Sequence, residues 1–419
     1  MENKSPIPFL RTRLFIQMFL QFAIWGAWAP VLFKHLLNIG FTSTQAGAIM
    51  GTGPLATMIS PLIAGQIADR WFPTQRFLAF AYICTGGVLW RAANLQEPDF
   101  WPMWILCFLC MFFYAPTLGL GNSLCFHHSS DPRADFPIIR LGGTLGFITG
   151  SWVVAEVMEV MKLDLRACLY VGSVAAVLNA FYCVSLPNTP PSKNTGNSFA
   201  VGKLLKMLQD PSFLLFSVLS FFLLVFATFY YFKNAEFFPT LGISDKWLGP
   251  IQTIGQIAEI GTMLILPAAY KLLGTKKTIA IGLLAWGLRF AIFAIGQPAW
   301  LVIAAQSLHG VCFAFALAAA MIYFERICDP DVRGTMQSFL SWITYGFGMF
   351  VGVFVMNGVG QHYTKPNPEV PGQNITDWTG VWSVPAIGCG IILVVFLIGF
   401  KARDVKSDDT VPAELEPAV

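Results

Sequence analysis

Charged residues are scarce in this sequence of 419 residues, where Asp, Glu, Lys and Arg together make up 12%. A soluble globular chain carries about 25% charged residues. In contrast, 55% of the residues are hydrophobic and the mean hydropathy is +0.62. So little charge beside so much apolar surface indicates a lipid bilayer as the solvent and excludes a soluble enzyme.

Other kinds of chemistry are missing as well. The formal net charge of +3 is too small to indicate nucleic acid as a partner. The nine cysteines are odd in number and lie in or beside apolar runs, which indicates small packing residues and not a disulfide framework. The sequence has no phosphate-binding loop, metal-ligand cluster or nucleophile–base pair. We therefore predict no cofactor, no metal and no enzymatic activity.

Long apolar runs dominate the chain instead. Each is close to the roughly 20 residues that a helix needs to cross a bilayer. Twelve runs can be marked, at 13–37, 45–67, 76–96, 101–125, 136–159, 165–186, 212–235, 247–272, 278–297, 299–325, 335–359 and 378–400. The sequence thus predicts an all-α membrane protein with twelve transmembrane helices.

Lys and Arg are divided unevenly between alternate connections. When the N-terminus is taken as cytoplasmic, 17 of them fall in cytoplasmic segments and 7 in outer ones. Because cytoplasmic loops are enriched in Lys and Arg, both termini are predicted to be cytoplasmic.

A polar connection rich in Pro, Asn and Ser, residues 187–198, divides the chain almost in half. Asp131-Pro132 and Asp329-Pro330 stand at matching places in the two halves, each followed by an Arg and a glycine-rich helix. Such internal similarity is typical of transporters built from repeats. We predict four segments, namely a six-helix half at 1–186, a cytoplasmic linker at 187–211, a second six-helix half at 212–401 and a cytoplasmic tail at 402–419.

The loop between the second and third runs contains Gly65, then Asp69 and Arg70, then Arg76. This spacing resembles the loop motif of the major facilitator superfamily. In that superfamily the Asp and Arg tie neighbouring helices together in one state and release them in another, which implies a gating role for Asp69 and Arg70. The alternative is an ordinary basic turn on the cytoplasmic side.

The fifth run carries polar and aromatic groups on one helical face. Arg140, Thr144 and Phe147 stand at i, i+4 and i+7. A guanidinium at the bilayer centre costs at least about 2.5 kcal/mol, so Arg140 should face a cavity or a carboxylate. The alternative is that Arg140 reaches the cytoplasmic interface with its long side chain. Glycines at four-residue steps form a neighbouring stripe that allows close helix packing, at Gly142, Gly146 and Gly150.

The eighth run repeats this pattern with Gln252, Gln256 and Glu259. Glu259 is the best candidate for a proton-carrying group, because the protonation of a carboxyl responds to its surroundings. The alternative is a structural salt bridge to Arg289 or to another helix. His309 in the tenth run can titrate near neutrality, but a lone histidine there is more often a hydrogen-bonded packing residue.

With these positions in view, the chain resembles the bacterial nucleoside:proton symporter family of the major facilitator superfamily. The similar stretches are 19–28, 114–120, 135–147 and 256–259. The resemblance implies the superfamily fold and a central cavity for one nucleoside. Arg140, Thr144 and Phe147 would contribute from the fifth helix, and Gln256 and Glu259 from the eighth, with Glu259 coupling the proton.

The chain also departs from that family. Phe229 and Phe232 stand where the family tends to place amide side chains, while Phe313 and Leu317 replace a Tyr and a Phe. All four would line the substrate site. Ala314 replaces an Asp that follows the Tyr. These replacements leave fewer hydrogen-bonding groups and one acid fewer.

The resemblance implies a monomeric importer in the bacterial inner membrane that couples nucleosides to protons by alternating access. The departures keep two alternatives open. One is a transporter of another small hydroxylated solute such as a sugar. The other is a membrane sensor of the same fold that does not transport.

Overall fold

The computed structural model describes residues 9–60, 72–95, 98–129, 132–190, 207–328, 333–368 and 374–402. The chain forms two compact units. The first comprises Met1–Gly196 together with Asp245–Pro250, and the second comprises Asn197–Ser244 together with Ile251–Val419. Three predicted features lie outside the described residues, namely Asp69 with Arg70, the part of the linker at 191–206, and the tail at 403–419.

Seven helices are bounded in the first unit, and residues 52–60 are helical as well. They are α1 (Leu10–Trp28), α2 (Leu32–Asn38), α3 (Ser43–Met50), α4 (Thr74–Ala93), α5 (Phe100–His128), α6 (Pro132–Met161) and α7 (Ala167–Ser185). Local sequence signals set their starts. Thr42 and Gln45 form a capping box before α3, and Asp99 accepts a hydrogen bond from the backbone of Trp101 at the start of α5.

The backbones of α1 and α6 approach closely along the glycine stripe of α6. A Cβ atom at Gly146 would lie 2.0 Å from the carbonyl oxygen of Phe19, and one at Gly150 would lie 2.3 Å from that of Ala23. No larger residue fits at either position unless the helices separate. The close packing predicted from the four-residue glycine spacing is therefore confirmed.

The short segment Asp245–Pro250 belongs to the first unit, although it lies far along the chain. Asn38 donates a hydrogen bond of 2.9 Å to Asp245, and Lys246 forms an ion pair of 2.8 Å with Glu159. The ring of Trp247 meets that of Trp152 edge-on, with 5.9 Å between centroids. Polar and aromatic contacts together fix this segment.

Eight further helices are bounded, all in the second unit except for residues 248–250, which begin one of them and belong to the first unit. They are α8 (Pro211–Thr240), α9 (Leu248–Ile295), α10 (Ala299–Ala304), α11 (Leu308–Val311), α12 (Ala319–Ile327), α13 (Arg333–Ser341), α14 (Met349–His362) and α15 (Trp378–Gly399). Two π-helical segments, Cys312–Ala318 and Trp342–Gly348, interrupt this series. An antiparallel pair, β1 (Thr364–Pro366) and β2 (Asn374–Thr376), stands before α15, with Thr364 opposite Thr376.

The long helix α9 consists of two helical segments that meet at Gly274. This residue has φ +74° and ψ 168°, a conformation that a helix does not contain and that favours glycine. The break lies between the eighth and ninth predicted spans. Asp210, one residue before α8, accepts hydrogen bonds from the backbone of Ser212 and Phe213 and so marks the start of that helix.

Lipid-facing surfaces are visible on single helices. On α15, Ile387, Ile391, Val394 and Ile398 recur at helical spacing and are 55–77% exposed. Such a stripe suits hydrocarbon and not water. Within the described ranges, nine helical stretches are long and apolar enough to cross a membrane, and one of them contains the break at Gly274. An all-α membrane protein is therefore confirmed, while the number of twelve spans stays a prediction.

Candidate functional site

The polar face predicted on α6 is present in the first unit. Arg140, Thr144 and Phe147 are all partly exposed, whereas the glycine stripe beside them is buried against α1. A Cβ atom at Gly26 of α1 would lie 2.1 Å from the carbonyl oxygen of Phe147. This tight contact holds the polar face of α6 in a fixed position next to α1.

Aromatic side chains of α1 complete this face. The guanidinium carbon of Arg140 lies 4.3 Å from the ring centroid of Phe22, which is a cation–π contact. Trp25 follows one turn later, and its ring meets that of Phe147 edge-on at 6.2 Å. We define Arg140, Thr144, Phe147, Phe22 and Trp25 as the arginine–aromatic cluster. It offers a positive charge, a hydroxyl group and flat rings within one unit.

A buried hydrogen-bond network joins α1 and α5 next to Trp25, whose ring centroid lies 6.5 Å from that of Tyr114. Tyr114 of α5 donates a bond of 2.8 Å to the backbone carbonyl of Gln21, and the Gln21 amide donates one of 3.2 Å to the carbonyl of Thr117. Gln17 joins this network through a bond of 2.9 Å to Gln21. The family-like stretches 19–28 and 114–120 therefore pack against each other. No role for these residues is predicted from the sequence, although two glutamines four residues apart in an apolar run are a signal of a polar function there.

In the second unit, Gln256 and Glu259 of α9 are partly exposed and Gln252 is buried. The Glu259 side chain is 19% exposed, and its Oε2 lies 4.0 Å from Nε2 of His309 on α11. The acid is thus accessible and has a histidine as its neighbour.

Arg289 lies on the other side of that histidine. It is fully buried, and its NH1 lies 3.2 Å from Nδ1 of His309. Its guanidinium carbon lies 3.8 Å from the ring centroid of Tyr230 and 4.3 Å from that of Trp286. Among the described residues, Arg289 contacts no carboxylate, so a direct salt bridge with Glu259 does not form. We define Glu259, His309 and Arg289 as the acid–histidine–arginine chain.

The remaining predicted site residues differ in exposure. Phe229 is fully buried and Phe232 is 7% exposed, so neither offers much surface to a ligand in this conformation. Phe313 and Leu317 are partly exposed and lie in the π-helical segment Cys312–Ala318, a kind of irregularity that is frequent at functional sites. Ala314, in the same segment, is fully buried.

Comparison with known proteins identifies the family. A family model described as Nucleoside H+ symporter matches residues 9–405. Xanthosine permease of Escherichia coli strain K12 is 28% identical over 93% of this chain and 95% of its own length. Nucleoside permease NupG of the same strain is 27% identical over 95% of this chain and 97% of its own.

Solved structures agree with this result. The crystal structure of the nucleoside transporter NupG matches with a TM-score of 0.81 at 26% identity, covering 94% of this chain and all of that one. A proton-dependent oligopeptide transporter structure matches with a TM-score of 0.72 at 13% identity, which shows a shared fold alone. The predicted major facilitator fold is therefore confirmed. The chain belongs to the nucleoside H+ symporter family and is a multi-pass membrane transporter, not an enzyme.

Proposed function

We propose that this protein imports nucleosides together with protons by alternating access. The observation that carries this proposal is Glu259, a partly exposed carboxyl group on an apolar helix of a nucleoside H+ symporter family member. An acid is costly in a membrane-spanning segment, and acids kept there commonly serve ion or proton pathways. Glu259 takes up and releases the coupled proton in this proposal.

The arginine–aromatic cluster is proposed to bind the nucleoside. A base is flat and stacks on rings such as Trp25 and Phe147. The ribose hydroxyls and the base heteroatoms need donors and acceptors, which Arg140 and Thr144 supply. Gln256 is proposed as a further substrate contact, because its amide both donates and accepts. This combination of apolar surface and few polar groups is typical of small-molecule sites.

The replaced positions are proposed to tune which nucleoside binds. Phe313 and Leu317 are partly exposed and offer apolar surface, whereas Phe229 and Phe232 would offer theirs only in another conformation of the transport cycle. Since they form no hydrogen bonds to a base, selectivity among bases would rest on shape and on the few polar groups that remain.

Several further features belong to the same proposal. The protein works as a monomer in the bacterial inner membrane, with both termini in the cytoplasm. The two six-helix halves at 1–186 and 212–401, joined by the linker 187–211, move to alternate the access of the site. Asp69 and Arg70 control that movement at the cytoplasmic side. The proposed monomeric state is tested by measuring the molar mass of the purified protein in detergent by light scattering.

Counterflow of labelled uridine in proteoliposomes tests the substrate class. The vesicles are loaded with unlabelled uridine, and adenosine, xanthosine and a panel of sugars compete outside. We expect nucleosides to compete and sugars to have no effect. Competition by sugars alone would support the alternative of a transporter for another hydroxylated solute. Uridine binding without any flux would support the sensor.

A further inference from the structure

Two members of the acid–histidine–arginine chain have almost no surface left for a substrate. Arg289 is 0% exposed and His309 is 3% exposed. A buried guanidinium is costly in an apolar helix, so its retention calls for a physical reason beyond packing. The geometry around Glu259 supplies such a reason, which rests on the proposed role of Glu259 in proton coupling.

The hydrogen-bonding roles within the chain are fixed by chemistry. An arginine side chain has five N–H donors and no acceptor. Because NH1 of Arg289 lies 3.2 Å from Nδ1 of His309, Nδ1 must be the acceptor. A neutral imidazole then carries its proton on Nε2. Nε2 is the atom that lies 4.0 Å from Oε2 of Glu259, so an N–H donor is directed at the carboxyl group.

The histidine ring is held in this orientation from several sides. It stacks on Tyr230 with 5.2 Å between centroids and 21° between planes, and Trp286 meets it edge-on at 6.5 Å. Gly255 of α9 leaves room for it, since a Cβ atom there would lie 2.9 Å from the His309 Cβ. The ring therefore has little freedom to turn and exchange its two nitrogens.

The arrangement also disfavours a charged histidine. A second proton would have to bind Nδ1, which would place an N–H group against the N–H of Arg289 and two positive charges side by side. An ionised Glu259, in contrast, would place a negative charge on the opposite side of the ring from Arg289. Among the described residues, the titratable and charged groups that face His309 include Glu259, Arg289, Tyr230 and Tyr231.

We propose that Arg289 and His309 form a fixed donor unit that positions the carboxylate of Glu259, and that His309 does not itself carry the transported proton. The separation of 4.0 Å is within ion-pair range but longer than a hydrogen bond. A small movement of the acid closes it when Glu259 is ionised and opens it when Glu259 binds its proton. His309 is thus a positioning residue for coupling.

Two substitutions of His309 separate its two contacts. The amide oxygen of Asn reaches the place of Nδ1, so His309→Asn keeps an acceptor for Arg289 and loses the donor to Glu259. The amide nitrogen of Gln reaches the place of Nε2, so His309→Gln keeps the donor to Glu259 and loses the acceptor. Both are measured for uridine accumulation driven by a pH gradient and for uridine counterflow, which needs no net proton movement.

We expect His309→Gln to retain most of the uridine accumulation. We expect accumulation by His309→Asn to be lower by about tenfold or more, because losing a hydrogen bond to a charged group changes an equilibrium constant by about that factor. Counterflow should persist in both. If His309→Asn is active and His309→Gln is not, the ring only holds Arg289 and the proposal is wrong. Loss of accumulation in both variants would make His309 a proton carrier, and full activity in both would leave it no positioning role. Each of these results overturns the proposal.

A measurement on the unaltered protein keeps the test independent of transport and of variant folding. Solid-state nitrogen NMR of protein labelled at its five histidines identifies His309 by its through-space correlation with an arginine side chain. We expect Nε2 to be protonated and Nδ1 unprotonated over the whole pH range in which uptake varies. A proton on Nδ1, or a doubly protonated ring in that range, would refute the donor unit even if the protein imported no nucleoside.

Discussion

Two arginines in apolar helices are accommodated in different ways. Arg140 is partly exposed and lies over one ring, that of Phe22. Arg289 is fully buried between Tyr230 and Trp286 and also donates to His309. The partial exposure of Arg140 leaves its guanidinium within reach of a ligand, whereas the buried Arg289 can leave its site only by losing these contacts. This difference agrees with the proposal that Arg140 contacts substrate and that Arg289 does not.

Replacing the carboxyl of Glu259 tests proton coupling. Glu259→Gln keeps the shape and hydrogen-bonding capacity of the side chain but removes its titration. We expect uridine accumulation driven by a pH gradient to be abolished in proteoliposomes, while counterflow and binding by calorimetry persist. Glu156→Gln, an exposed acid on α6, is the matched control and should behave as the unaltered protein. Undiminished accumulation in Glu259→Gln would show that the proton travels through another group.

Arg140→Lys tests the arginine–aromatic cluster. The substitution keeps the charge but removes the planar guanidinium that lies 4.3 Å over Phe22 and can form two parallel hydrogen bonds. We expect uridine affinity to fall by roughly tenfold, measured by calorimetry, because cation–π and bidentate contacts together contribute on the order of 1–2 kcal/mol. Arg91→Lys, at an exposed position near the end of α4, is the control. Unchanged affinity in Arg140→Lys would remove Arg140 from the site.

At the scale of helices, the glycine stripe of α6 holds the arginine–aromatic cluster together. Gly146 and Gly150 bring α1 so close that the rings of Phe22 and Trp25 reach the polar face of α6. A wider helix spacing would separate these rings from Arg140. The glycine stripe and the polar face are thus adjacent parts of one helix, and the ring contacts of the polar face depend on the close packing at the stripe.

Gly146→Ala should therefore lower the thermal stability of the protein in detergent. Its new Cβ atom would lie 2.0 Å from the backbone of Phe19, and overpacking of this kind costs about 1–3 kcal/mol. Gly87→Ala on α4 is the matched control, because a Cβ atom there meets nothing within 4 Å. Since alanine favours helix over glycine, this control should be neutral or stabilising. Equal melting temperatures for both variants would contradict the tight α1–α6 contact.

Helical periodicity in the sequence predicts the two faces of α6 but not the irregular segments of the second unit. The spacing of Arg140, Thr144 and Phe147 and of the glycines is a local property, so the two faces of α6 are predictable from the residues alone. The π-helical segments Cys312–Ala318 and Trp342–Gly348 are not, because no apolar spacing specifies their hydrogen bonding.

The contacts between helices are harder still to predict. The expected partner of an intramembrane arginine is an acid, but Arg289 contacts a histidine and aromatic rings. Only the packing of α9 and α11 brings His309 between Arg289 and Glu259. Likewise, Phe22 and Trp25 read as ordinary apolar residues of α1 until α6 is placed beside them.

At the scale of the whole molecule, the excess of Lys and Arg in alternate connections predicts cytoplasmic termini. The excess is 17 to 7, which is strong for a chain with few charges. A phosphatase or fluorescent reporter fused after Val419 checks this, since the former is active only outside and the latter fluoresces only inside. We expect fluorescence. Phosphatase activity at that position would reverse every loop assignment made from charge.

The membership of Asp245–Pro250 in the first unit means that the molecule is not the sum of two interchangeable modules. A gene divided at the linker would encode a first fragment without the residues that contact Asn38 and Glu159. The second fragment would carry Asp245 and Lys246 without Asn38 and Glu159, which they contact. A chimaera that exchanges halves between relatives would thus have to take residues 245–250 from the same parent as the first half, although they follow the linker in the chain. A recombination event in the linker of this chain would likewise separate Asn38 and Glu159 from the residues that they contact.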